Sequence, residues 1–132
     1  MTLFRLGCTA IVALCALLGA CAVAPEGGLS EVLQRPAERA LLAGLRAYDD
    51  GQYPDAEREL NQALTTGLVS AKDRASAHKH LAFVYCTSRR IEACAEAFRA
   101  ARAADAAFAL SRAEAGHPLW GPVYKRVAAA AP

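Results

Sequence analysis

The stretch GLRAYDDGQYPDAERELNQA, Gly44 to Ala63, decides the fold of this 132-residue chain. Leu41, Leu42, Leu45 and Tyr48 fall at helical spacing, and Pro36 suits the first turn of that helix. Asp50-Gly51 stops it. Pro54 opens the next helix, with Asp55 and Glu57 in its acidic first turn. Ala56, Leu60, Ala63 and Leu64 form the inner face, and Gly67 ends it. Gly44, Gly51, Tyr53, Ala56, Leu60 and Ala63 therefore alternate small, turn, aromatic, small, large and small positions. Shifted by 38 residues, the same series reads Ala82, Arg89, Ile91, Cys94, Phe98 and Ala101.

That series resembles the tetratricopeptide (TPR) pattern, whose period is about 34 residues. The extra residues fall in the junction Thr65 to Arg74. Small positions let the two helices of a hairpin approach closely, and large positions fill the gap to the neighbouring hairpin. Ser70 and Asp73 start a third helix with the face Ala77, Leu81, Val84 and Tyr85. Thr87 to Arg90 turn the chain, and Ile91, Ala95, Phe98 and Ala101 line a fourth helix. Arg89 departs from the glycine expected at the turn. No sustained alternation of β-branched residues signals a strand. The expected fold is all-α: two TPR-like hairpins plus a C-terminal capping helix.

Two repeats do not bury a continuous core unaided. The tail supplies cover: Ser111 and Glu114 cap a short piece, Gly121-Pro122 set the entry to a last helix, and Trp120, Val123 and Tyr124 carry the apolar area. Ala128 to Pro132 are expected to fray.

The N-terminus has a different grammar. Arg5 precedes an apolar run from Ile11 to Leu18, and Leu18-Gly19-Ala20-Cys21 follows. This resembles a bacterial lipoprotein signal, which implies cleavage before Cys21 and a covalent lipid on its thiol. No other cofactor is expected. Two or more acyl chains hold a protein firmly to a bilayer. Ala22, where Asp would favour inner-membrane retention, fits passage to the outer membrane. The expected organisation is a signal peptide over 1–20, a lipidated tether over 21–30 rich in Pro and Gly, and a helical domain over 31–132.

Fifteen basic and thirteen acidic residues are interleaved, which excludes a nucleic-acid-binding surface of the massed basic kind. Of five cysteines, two lie in the signal and Cys21 takes the lipid. Cys86 and Cys94 remain as a candidate disulfide in an oxidising compartment. Two separate buried thiols are the alternative. His78, His80, Cys86 and His117 do not make a metal pattern, because His78 and His80 point to different helix faces. No nucleophile constellation or phosphate-cradling loop is present, so an enzyme is not expected.

The run Ala113-Glu114-Ala115-Gly116-His117-Pro118-Leu119-Trp120-Gly121-Pro122-Val123-Tyr124 is more distinctive than the repeats. With the lipobox and the segment His80 to Cys86, it resembles the TssQ family, lipoproteins associated with type VI secretion systems. The resemblance implies a lipid-anchored accessory component on the periplasmic face of the outer membrane, with components of the secretion membrane complex as partners. An adaptor of another envelope machine, for pilus or outer-membrane protein assembly, is the alternative, and a small-ligand or metal carrier is a third. By repeat position Leu41, Leu45, Tyr48 and Phe83 face the concave side, where TPR domains hold partner segments. The tail is expected to stack on the end of the hairpins and leave part of this groove open. Tyr48 and Phe83 should then tolerate alanine without unfolding.

Overall fold

The computed structural model describes Glu31 and residues 34–130. The chain divides into two units, 1–30 and 31–132, and the described residues belong to the second. The signal and tether, Cys21 included, lie outside them. Among the described residues there are only helices and turns: α1 (Pro36–Asp49), α2 (Tyr53–Thr66), α3 (Ala71–Thr87), α4 (Ile91–Ala104), α5 (Arg112–Ala115) and α6 (Gly121–Ala129). None of these is long and apolar enough to cross a membrane. Helices α1 and α2 pair as one antiparallel hairpin, α3 and α4 as a second, and α3 also meets α1 and α2. The fold is all-α and TPR-like.

The 38-residue shift holds in detail. Helices α2 and α4 have fourteen residues each, and their bounds differ by that shift at both ends. Helices α1 and α3 also end in register, at Asp49 and Thr87. Helix α3 has 17 residues against 14, so much of the additional length is spent at its N-terminal end. There Ser70 Oγ accepts the Asp73 amide at 3.3 Å, and Arg74 Nη1 donates to the carbonyls of Leu68 and Val69.

The two hairpin turns are copies of one another. Gly51 N–H donates to Tyr48 and Gln52 N–H to Ala47; Arg89 N–H donates to Cys86 and Arg90 N–H to Tyr85. Gly51 sits at φ 72° and Arg89 at φ 61°, so the residue that departs from the pattern still takes the left-handed conformation the pattern demands. A side chain there is strained by about 1–2 kcal/mol, partly offset because glycine loses more backbone entropy on folding. Arg89→Gly should therefore raise the unfolding free energy by about 0.5–1 kcal/mol, read from the denaturation midpoint at unchanged slope. A midpoint that falls would contradict the turn geometry.

Within the hairpins, Ala56, Leu60 and Ala63 of α2 and Cys94, Phe98 and Ala101 of α4 are fully buried. These are the small and large positions of the repeat. Helix α3 is buried on several sides, through Ala77, Leu81, Ala82, Phe83 and Val84, because it alone touches both hairpins and the tail. Cys86 and Cys94 lie across the second turn with Cα atoms 5.3 Å apart and sulfurs at bonding distance, within the separation a disulfide needs. A second tie is ionic. Arg90 forks onto both carboxylate oxygens of Glu57 and lies 4.4 Å over the Tyr85 ring, fastening α2 to the second turn. The guanidinium holds the Glu57 carboxyl below its ordinary pKa. Helix α6 packs on α4, with Tyr124 against Phe98 and Val123 and Val127 buried in the core, and it runs to Ala129, so Ala128 and Ala129 are helical rather than frayed.

Candidate functional site

The concave side is built by α1 and α3, and the tail decides how much of it stays open. Position for position, Leu41 of the first repeat corresponds to Lys79 of the second, and Leu45 to Phe83. Leu41 and Phe83 are buried, 6% and 3% exposed, while Leu45 and Tyr48 are half-buried. Phe83 is thus core and not groove wall, which corrects the sequence expectation for it and for Leu41. The reason is Trp120. Its indole stacks on Phe83 at 4.2 Å between centroids, with planes 24° apart. The tail caps the end of the stack through α6, as expected, and it also reaches back along α3.

Several residues of the distinctive tail run have a task in that path. Ser111 Oγ accepts the Glu114 amide while Glu114 Oε2 accepts the Ser111 amide, a complete capping box. Glu114 Oε1 takes Lys79 Nζ at 2.7 Å, across 35 residues of sequence. The Glu114 carbonyl accepts Trp120 Nε1–H at 2.9 Å. His117 lies flat on the indole at 3.5 Å, and its Nδ1 accepts the Leu119 amide. A Cβ at Gly121 would stand 2.5 Å from the Ala115 carbonyl oxygen, so the chain can cross there only without a side chain. Tyr124 Oη accepts the Leu110 amide at 3.2 Å.

A line of rings joins these parts. Tyr48 meets Tyr53, His80 and Phe83; Phe83 meets Phe98 and Trp120; Tyr124 meets Phe98 and Phe108. Aromatic pairs in such tilted and edge-on arrangements contribute about 0.5–1.5 kcal/mol each beyond area burial. Lys79 Nζ lies 5.7 Å from the Phe83 centroid, so its ammonium serves both the ring and Glu114. Sequence reasoning missed Lys79, and it missed the contacts that Glu114 and His80 make with Lys79 and Tyr48. The signal for Lys79 was available: a charged residue stands where the first repeat has a buried leucine.

Electrostatics follow burial. Desolvation alone would raise the Glu114 carboxyl, but Lys79 and the Ser111 donors outweigh it and hold it below its ordinary value. Burial raises the Tyr48 phenol, helped by Tyr53 and Asp49. Burial lowers His80, against the opposing pull of its contact with the Ser76 carbonyl, and Lys79 lowers it further. Burial also lowers His78, which lines an open cleft of about 400 Å³ with Asn61, Tyr85 and Ala97.

The unfolded chain therefore takes up protons at these histidines, near pH 6.5 and below, before the folded chain does. Stability is level above that pH and falls as pH drops through the lower folded values. Denaturation at pH 7.5 and 5.5 should show the loss, and His80→Gln should flatten it. An unchanged slope in that variant would contradict the burial of His80.

The remaining site residues fall as follows. Trp120 and Val123 are buried and Tyr124 is half-buried. Among the described residues, no three His, Cys, Asp or Glu side chains gather in a group able to hold a metal. Comparison with protein-family models, with curated proteins and with solved structures returned no match to this chain.

Proposed function

We propose that the chain is an outer-membrane lipoprotein whose helical domain acts as a protein-interaction adaptor in the periplasm, accessory to the type VI secretion membrane complex. The observation that carries the adaptor reading is the fold: two TPR-like hairpins, closed by their own tail, with Leu45 and Tyr48 left half-buried along the concave side. Repeats of this kind present extended concave surfaces to partner segments. The lipobox around Cys21 supports the membrane placement, and the resemblance of the tail run to the TssQ family supports the choice of machine. Lipid attachment holds such a domain near membrane-embedded partners without spending sequence on a transmembrane helix.

Two measurements test the reading together. Metabolic palmitate should label the protein, and Cys21→Ser should abolish both label and membrane fractionation. A photoreactive residue at Leu45 should give, in intact cells, a discrete adduct with a subunit of the secretion membrane complex. A freely soluble, unlabelled protein would overturn the placement. An adduct with a component of another envelope machine would overturn the choice of partner.

A further inference from the structure

From Asp105 to Leu119 no residue is buried, and α5 within that segment has no buried side chain. Yet the segment lies along α3, fixed by a short set of contacts: the Glu114–Lys79 ion pair, the Leu110–Tyr124 hydrogen bond, the half-buried Phe108 and Leu110 against the core with Phe108 on the Tyr124 ring, and Trp120 at its end. Between it and α3 a cleft of about 420 Å³ remains, lined by Lys72, Ser76 and Lys79 on one side and Asp105 and Phe108 on the other. Segments with little burial and few long-range contacts open before the rest of a domain does.

We propose that Asp105–Trp120 is a displaceable strap, an internal ligand of α3, and that the partner is a protein segment offering a carboxylate to Lys79 and an aromatic ring to Phe83 in its place. The partner's chemistry follows from what leaves with the strap. Asp105 and Glu114 are both strap residues, so displacement removes one carboxylate from the cleft and a second from Lys79 together. Lys72, Ser76, Lys79 and Phe83 recur at helical spacing on α3, and the only acid on that helix is Asp73 in its first turn. The uncovered face is cationic at one end and aromatic at the other. A basic segment would meet Lys72 and Lys79 unpaired; an aliphatic one would leave both ammonium groups without a counter-charge. Helix α6 keeps its own hold on α4, with Tyr124 on Phe98 and Val123 and Val127 buried in the core, so the strap can leave without the cap by giving up its Leu110 and Phe108 contacts to Tyr124. The partner's identity rests on the adaptor reading; the mobility of the strap does not.

The test uses the full-length protein in detergent. Under native conditions the Trp120 indole N–H should exchange with solvent far faster than the amides of α3 and α4, and Glu114→Gln should accelerate it by about five- to tenfold through loss of the charged bond. Exchange of the indole at the same rate as α3 would show that the strap opens only with global unfolding, and would overturn the proposal. For the partner, the probe is a synthetic peptide of residues 105–120. The double variant Glu114→Gln, Trp120→Ala holds no tryptophan of its own, so the peptide's indole emission should shift to the blue on saturable binding. Adding Lys79→Met should weaken that binding at least about fivefold. Equal binding with and without Lys79, or none to a folded double variant, would overturn the chemistry assigned to the partner. A partner missing in cells alongside a mobile strap and a peptide-binding α3 face would instead count against the adaptor reading.

Discussion

Phe83→Ala lowers the unfolding free energy by about 3–5 kcal/mol, the range for truncating a buried phenylalanine. The loss is a large share of the ~5–15 kcal/mol a domain usually holds. Phe83 touches three parts of the molecule at once: Tyr48 of α1, Phe98 of α4 and Trp120 of the tail. Its removal leaves a cavity that no single element can close. Tyr48 is half-buried, and its ring meets Phe83 only at 6.1 Å. Tyr48→Ala should cost about 1–2 kcal/mol. The two residues look alike in the repeat pattern, yet denaturation of the single variants should separate them clearly. Equal costs for both would mean that the tail does not cover Phe83.

The second large effect is predicted at Gly44, where the hairpin helices come closest. A Cβ there would stand 2.7 Å from Leu60 Cγ, 2.9 Å from its Cδ2 and 3.1 Å from its backbone nitrogen. Leu60 is fully buried and cannot swing into solvent. Gly44→Ala should cost about 1–3 kcal/mol, the usual range for overpacking a tight core. The gain in helix propensity, about 1 kcal/mol, offsets only part of the clash. Leu60→Val added to Gly44→Ala should cost less than the sum of the two single variants, because the pair shares one gap. Strict additivity would contradict the close approach. The equivalent position in the second repeat is Ala82, fully buried and opposite the region of Phe98, so that hairpin already accommodates a methyl group.

The helix ends were legible because each carries its own local chemistry: Pro36 and Pro54 at starts, Gly51 and Gly67 at stops, Ser70 and Ser111 at caps. The pairing of hairpins was legible from Ala56, Leu60 and Ala63 recurring as Cys94, Phe98 and Ala101. The turn from Thr87 to Arg90 was legible too, but Arg89 hid its left-handed backbone, which is dictated there by the flanking helices and not by the residue. The path of the tail was legible only in part. Its cap and its last helix follow from Ser111, Glu114 and Gly121, but its return along α3 depends on two long-range matches, Glu114 with Lys79 and Trp120 with Phe83. Such complementarity leaves no periodic trace in a single sequence. That is why the groove expected at Phe83 was read as more open than it is.

Trp120 is the only tryptophan of the chain, so its fluorescence reports on the tail alone. Burial against Phe83 and His117 predicts blue-shifted emission that iodide quenches weakly, and both properties should be lost on unfolding. Red-shifted emission, quenched as freely as that of a dissolved indole in the otherwise folded protein, would show that the tail does not lie on α3. The covered concave face and everything built on it would then be wrong.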